Sequence, residues 1–410
     1  MGEHVVIIGA GVIGLTSALY LQAKGRQVTL IDKAQPGQGC SSGNAGHFAT
    51  QLVMPLSSLS MIPEIPRMLL DPKGPLAIRP GYFPKALPWL CRFMSHVRPS
   101  SQRHIAGQLN LLNKAAMAAW QPLFERTNAK HLIRHEGALL AFETAKAYQQ
   151  ADAFHAWQAT TYDVPYQRWS RNEIEEREPG LAASIRHAIY YPETHFTLDP
   201  LRLSQTLFSH FTREGGRFIQ QEVQSATVEE AGVMINGVIQ ADQLVIALGA
   251  HSKPWIKQLT GVSIPLESER GYHLMLPDEG HVFHRPVTFA EKRFVLTPMQ
   301  DGLRLAGTVE FAGLQRLPDM ARATMLKSLI TPLMASRPGR SGQLWMGHRP
   351  TLSDSLPIID RVGPQGRVLV AVGHQHLGLT LAGITGKLIS ELACDDQTTL
   401  PTAAFRLKRF

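Results

Sequence analysis

The first 33 residues of the chain contain two short apolar runs with a helical pattern between them. Residues 5–8 form an apolar, β-branched run, which predicts a buried parallel strand. Residues 15–24 predict a helix that ends at Gly25, and residues 28–31 predict a second strand. This order of strand, helix and strand predicts a βαβ unit at the start of the chain.

The remaining pattern indicates two kinds of sheet. Helical patterns occupy four segments, residues 105–130, 145–160, 201–215 and 379–393. The apolar runs at 241–250 and 368–372 are typical of parallel strands, whereas alternation at 286–313 predicts antiparallel strands that turn at Asp301 and Gly302. Residues 131–143 predict a β-hairpin around Glu136 and Gly137. The parallel strands near both ends predict one domain that carries the other as an insertion.

Three glycines connect the first strand to the first helix. Gly9, Gly11 and Gly14 have the G-x-G-x-x-G spacing, which allows a tight turn, close approach of backbone N–H groups to a pyrophosphate, and packing of the helix on the strand. Asp32 ends the second strand, where a carboxylate would bind an adenosine ribose hydroxyl. The sequence therefore predicts dinucleotide binding, and the alternative is a glycine-rich turn in an ordinary βαβ unit.

Composition excludes several classes of function. The chain has 410 residues and is 44% hydrophobic, which is enough for two domains with large cores. The three cysteines lack metal-binding spacing and cannot all pair, so we expect no metal and a reduced compartment. We expect no signal peptide and no membrane span. The net charge of +8 comes without a basic, aromatic stripe, so nucleic acid is excluded as a partner, while an anionic substrate, an anionic membrane surface and an ordinary basic surface stay open.

Residues 52–98 form an apolar, basic and proline-rich segment. It contains eight prolines and six basic residues against two acids, interleaved with large apolar side chains. The prolines prevent one long helix. This composition is typical of an interfacial membrane anchor or partner contact, and the alternative is a segment that packs over the protein's own core.

Five motifs in order carry a family resemblance. GAGVIG, CSSGNAG, QLVIALGAHS, GHRPTLSDSLPIIDR and GHQHLGLTLAGITG together resemble the D-amino acid oxidase-like flavoprotein family over the whole chain, and the segment at 52–98 resembles the bacterial D-amino acid dehydrogenase branch. The expected fold class is α/β. An FAD-binding doubly wound (Rossmann-like) domain is expected from residues 1–51, 195–260 and 343–410, with an inserted α+β substrate domain, containing an antiparallel sheet, from residues 99–194 and 261–342.

The resemblance implies non-covalent FAD, because no cysteine lies near GHRP or GHQH in the sequence. Gly9, Gly11 and Gly14 would bind the pyrophosphate, and Asp32 would bind the ribose. The helix that follows the glycine and histidine turn of GHQHLGLTLAGITG would point its N-terminus at the flavin. The remaining implied contacts are Lys33, for which a solvated side chain is the alternative, and Ser41, Ser42, Asn44, Ala45, Gly46, Val223, Gly249, Gly373, Gly378, Leu379 and Thr380.

The substrate site is also implied by the resemblance. Arg349 occupies the position of the family's carboxylate-binding arginine, and a planar guanidinium suits that task. Tyr272 is a candidate second donor to the carboxylate, with a strand-packing role as the alternative. His47 and His374 are candidates to tune the flavin or bind substrate, and core histidines are the alternative. No general base is expected.

The resemblance implies oxidative deamination of D-amino acids. Hydride would pass from the substrate Cα to the flavin N5, the imino acid would hydrolyse to a 2-oxo acid and ammonia, and a quinone or other carrier would take the electrons. Two alternatives stay open: an oxidase of glycine, sarcosine or a cyclic secondary amine such as D-proline or D-hydroxyproline, and a flavin-carrying subunit of a multi-protein dehydrogenase. The expected location is the cytoplasm, with or without peripheral contact to the inner membrane.

Overall fold

The computed structural model describes residues 3–57, 71 and 74–410. Strands and helices are numbered along the chain. The strands of the first sheet are β1 (His4–Ile8), β2 (Gln27–Asp32), β10 (Arg217–Gln220), β14 (Gln243–Ile246), β20 (Ile358–Val362) and β21 (Val368–Val372). Their order is β10-β2-β1-β14-β21-β20, and all neighbouring strands are parallel except β20 and β21.

Two cores cover the faces of this sheet because its side chains alternate. Val5 and Ile7 point into one core, while Val6 and Ile8 point into the other. The first core contains α1 (Val12–Ala23), α3 (Pro99–Thr127), α6 (Pro200–Arg213) and α9 (Gly378–Ala393). The second contains α7 (Ser252–Thr260) and a small antiparallel sheet of β11 (Ala226–Glu229), β12 (Gly232–Ile235) and β13 (Ile239–Ala241).

Within the described residues, the second large sheet has nine strands and is mostly antiparallel. The strands are β4 (Leu76–Ile78), β6 (Ala138–Phe142), β7 (Gln167–Trp169), β8 (His187–Tyr191), β15 (Leu266–Leu276), β16 (Val287–Phe289), β17 (Phe294–Met299), β18 (Gly302–Phe311) and β19 (Leu344–Leu352). The helices α4 (Ala145–Tyr162), α5 (Arg171–Arg177) and α8 (Ala321–Ile330) pack against this sheet. A third sheet, of β3 (His47–Phe48), β5 (Ile133–Arg134) and β9 (His195–Thr197), lies next to the first core.

The fold confirms the predicted βαβ unit, the parallel strands predicted at 241–250 and 368–372, and the antiparallel turn at Asp301 and Gly302. The predicted hairpin at 131–143 is wrong, because β5 pairs with β9 whereas β6 pairs with β8 and β16 in another sheet. Two segments pack differently from the expected division into domains. Strand β19, expected in the FAD-binding domain, belongs to the second sheet. Helix α3, expected in the substrate domain, packs in the first core, where the Trp120 indole donates to the carbonyl of Leu379 at 3.0 Å.

The apolar, basic segment is described only in part, since residues 58–70 and 72–73 lie outside the described residues. Its second half forms β4 and the helix α2 (Phe83–Ser95). Trp89 and Phe93 on α2 are buried against Phe311, whereas Phe83 and Leu87 are 45% and 44% exposed. One face of α2 therefore packs on the protein and the other presents apolar side chains. No helix in the described part of the chain is long and apolar enough to cross a bilayer.

Candidate active site

The glycine loop between β1 and α1 packs too closely for any side chain at Gly14. A Cβ there would lie 1.9 Å from the carbonyl oxygen of Gly9. The Ser41 hydroxyl accepts a hydrogen bond from the amide of Val12 at 2.9 Å. The amides of Gly11 and Gly14 find no acceptor among the described residues. The first turn of α1 thus offers free N–H groups and the positive end of a helix dipole, as an anionic phosphate requires.

The predicted adenosine contacts lie at the ends of β2 and β10. The Asp32 carboxylate accepts from the amides of Ala10 and Ala34 at 2.8 and 3.0 Å, which fixes its orientation. Lys33 is exposed and pairs with Glu222 at 3.7 Å. Strand β10 ends at Gln220, and the amide of Val223, three residues further on, has no acceptor in the described part of the chain. Gly249, after β14, has open space at its Cβ position.

The loop at residues 40–46 is held from within and from the second sheet. The Asn44 side chain donates to the Ser41 carbonyl and accepts from the Gly46 amide, both at 2.8 Å. Arg304, from β18, donates through Nη1 to the carbonyls of Asn44 at 2.7 Å and Ser42 at 3.3 Å. Burial lowers the pKa of Arg304 to about 10. These contacts fix the loop at the face of the sheet.

His273 also supports this loop. Its Nδ1 lies 2.8 Å from the Gly43 carbonyl, and its ring stacks on Trp345 with the centroids 5.0 Å apart. Burial lowers the pKa of His273 to about 3 and that of His47 to about 4, so both rings are neutral at pH 7. The buried Nε2 atoms of both rings lack a hydrogen-bond partner among the described residues. His47 thus has a free polar atom next to the loop, as its predicted role requires.

The turn that follows β21 leads into α9 and separates two histidines. Gly373 begins the turn, and the His374 ring points into the core, where its Nε2 lies 2.9 Å from Thr385 Oγ1. His374 is 3% exposed. The structure therefore does not bring His374 to the cleft, because its ring supports α9 instead.

The N-terminus of α9 offers a second set of free backbone donors. The amides of Gly378, Leu379 and Thr380 lie in its first turn and find no acceptor among the described residues. The Thr380 hydroxyl accepts from the Ala49 amide at 2.9 Å, which joins α9 to the strand that follows the loop at 40–46.

Arg349 lies on the face of the second sheet that meets this loop. Its guanidinium lies flat on Gly271, where a Cβ would be 2.4 Å from Arg349 Cζ. Nη1 donates to Glu269 Oε1 at 3.0 Å, and Glu269 Oε2 accepts from the Thr351 hydroxyl at 3.2 Å. Nε and Nη2 of Arg349 make no hydrogen bond within the described residues. One edge of the guanidinium is therefore anchored and the other is free.

His376 and Cys40 lie near this pair. Burial lowers the pKa of His376 to about 4, and the charges of Glu269 and Arg349 act on it in opposite directions. The His376 side chain is exposed to solvent although protein atoms surround it, which indicates that it borders an internal cleft. Burial raises the pKa of the Cys40 thiol to about 11, again within the fields of Arg349 and Glu269. Cys40 is distant from the GHRP motif in the sequence but lies near its Arg349 in space.

Tyr272 lies on the other face of the sheet. Alternation along β15 directs Glu269 and Gly271 to the cleft, but directs Tyr272 to the opposite side. The Tyr272 hydroxyl donates to Glu310 Oε2 at 2.5 Å and accepts from the Asp319 amide at 3.2 Å. The structure therefore does not bring Tyr272 together with Arg349, and the tyrosine packs within the protein instead.

Comparison with known proteins identifies the family. A family model described as FAD dependent oxidoreductase matches residues 4–392. The chain belongs to this FAD-dependent oxidoreductase family. A D-amino-acid oxidase of Bradyrhizobium diazoefficiens is 33% identical over 424 residues, covering 100% of this chain and 99% of the relative. A D-amino acid dehydrogenase of Vibrio vulnificus is 28% identical and covers 96% of each chain.

Solved structures share the fold of this FAD-dependent oxidoreductase. Glycine oxidase from Geobacillus kaustophilus aligns with a TM-score of 0.75 at 23% identity, covering 100% of this chain and 99% of that one. FAD is therefore the cofactor, and the predicted fold class is confirmed. The residues fit FAD. The N-termini of α1 and α9, both with free amides, lie on either side of the loop at 40–46. The glycines of this loop, Gly43 and Gly46, leave no space for side chains. Sequence reasoning assigned no role to Glu269, Arg304 or His376. Glu269 and Arg304 lie outside the five motifs, whereas His376 lies in GHQHLGLTLAGITG, where the neighbouring His374 was the candidate instead.

Proposed function

We propose that the protein oxidises D-amino acids and passes the electrons to a quinone or another carrier. The observation that supports this most strongly is the free edge of the Arg349 guanidinium in a cleft that is bordered by the loop at 40–46 and the turn before α9. A planar guanidinium with two free donors matches a carboxylate. When bound, FAD supplies a two-electron acceptor for the hydride of the substrate Cα.

The side chains of the cleft bind and orient rather than exchange protons in this proposal. Arg349 binds the substrate carboxylate and thereby fixes the position of the adjacent Cα. His376 is neutral at pH 7, because burial lowers its pKa to about 4, so it adds no competing positive charge. The names of the Bradyrhizobium and Vibrio relatives support D-amino acids as the substrate class.

The electron acceptor is proposed from the surface of α2. Its outward face carries Phe83 and Leu87 together with Lys85 and Arg92, and residues 74–98 contain no acidic residue. Such a face suits the surface of an anionic membrane, and quinones are dissolved inside membranes. A cytoplasmic enzyme in peripheral contact with the inner membrane follows. The second candidate is an oxidase, which the name of the 33% identical relative favours. Rapid hydrogen peroxide release in air, without reduction of an added quinone, would support that candidate.

The test is anaerobic mixing of the purified holoenzyme with D- and L-amino acids while flavin absorbance is followed. D-amino acids are expected to bleach the flavin, and a chain that binds FAD but is bleached by none of them would refute the proposal. Arg349→Lys keeps the positive charge but loses the planar pair of donors, so KM should rise roughly 30- to 100-fold, as expected for about 2–2.8 kcal/mol of charge-assisted hydrogen bonding. Arg340→Lys, at an exposed position, is the matched control.

A further inference from the structure

Glu269 places a buried carboxylate beside the proposed substrate site. It is 6% exposed and faces Arg349 across β15 and β19. One carboxylate oxygen accepts from Arg349 and the other from Thr351. The charges of Glu269 and Arg349 both act on the pKa values of His376 and Cys40, so these four side chains lie close together. The carboxylate therefore belongs to the cleft and is not buried in a remote ion pair.

The pair of Arg349 and Glu269 has no net charge. A second carboxylate that binds the free edge of the guanidinium brings the group to a net charge of −1, which a low-dielectric site disfavours. A ligand with its own positive group within a few ångströms of its carboxylate removes this excess. The α-ammonium of an amino acid is such a group, since it lies two bonds from the carboxylate carbon.

We propose that Glu269 is a specificity-determining residue that binds the ammonium group of the incoming amino acid and thereby disfavours carboxylic acids that lack an amine. This rests on the proposed function, because it needs Arg349 to hold the substrate carboxylate. The carboxylate of Glu269 and the free edge of Arg349 then hold the two ends of a zwitterion. Because burial lowers the pKa of His376 to about 4, its ring is neutral at pH 7 and adds no positive charge to that of Arg349.

The test compares matched ligands on the holoenzyme of Glu269→Gln, namely D-alanine with propionate and D-phenylalanine with 3-phenylpropionate. Carboxylate dissociation constants come from calorimetry, and those of the amino acids come from the concentration dependence of anaerobic flavin bleaching. The amino acids should bind at least tenfold more weakly, whereas the amine-free acids should bind more tightly. Glu269→Asp should preserve the wild-type selectivity, which shows that the charge and not the fold is responsible.

Glu267→Gln is the matched control, because this buried carboxylate on the same strand accepts from the Tyr82 hydroxyl instead. If Glu269 only positions Arg349, both ligand classes will shift in the same direction and their ratio will stay unchanged, which overturns the inference. A wild-type enzyme that no amino acid bleaches would instead refute the proposed function. The two failures are therefore distinguishable.

Discussion

Replacement of Arg304 by methionine is expected to weaken FAD binding by roughly 30- to 100-fold. Nη1 of Arg304 donates to the carbonyls of Asn44 and Ser42, within the loop at 40–46. A hydrogen bond from a charged donor contributes about 1.5–3 kcal/mol. Because both acceptors share one nitrogen, we count a single strong bond, and about 2–2.8 kcal/mol corresponds to that change in affinity.

The overall stability should change less than the affinity for FAD. Burial lowers the pKa of Arg304 to about 10, so the guanidinium is costly to bury, and methionine removes that cost. The assay is titration of the apoprotein with FAD, followed by quenching of flavin fluorescence, together with a thermal unfolding curve. Arg340→Met is the control, since its side chain is 76% exposed. An unchanged dissociation constant for FAD in Arg304→Met would refute the idea that these two bonds position the loop.

Three further predictions concern the glycine loop, the buried histidines and the cysteine. Gly14→Ala should prevent FAD incorporation because of the clash at its Cβ position, whereas Gly39→Ala, which meets open space, should purify yellow. Burial lowers the pKa of His374 to about 3, so the unfolded chain binds the extra proton and stability should fall as pH drops from about 6.5. Urea unfolding between pH 4.5 and 6.5 should be less pH-dependent in His374→Gln, by up to about 1.4 kcal/mol per pH unit, and equal slopes would contradict this. Since burial raises the pKa of Cys40 to about 11, its thiol stays protonated at neutral pH and acid precipitation should release all flavin; flavin retained in the pellet would show a covalent link.

Local sequence pattern predicted structure reliably where all the residues that form a feature lie close together in the chain. The glycine spacing, the two apolar runs and Asp32 lie within the first 32 residues, and the structure forms the βαβ unit that they predict. Strand pairing was less predictable. The hairpin at 131–143 fails because the partners of β5 and β6 come from distant parts of the chain, and no local pattern encodes such pairing.

Residue pattern alone predicts the βαβ unit and the parallel strands at 241–250 and 368–372, because apolar periodicity and glycine spacing act over a few residues. Which side chains share the cleft depends on contacts between distant parts of the chain. Alternation puts Glu269 and Tyr272 on opposite faces, but the packing of the loop at 40–46 against the second sheet determines which face lies beside that loop. Likewise, the backbone at Gln375 has a positive φ of 52°, and the histidines on either side of it diverge, one towards Thr385 and the other into the cleft.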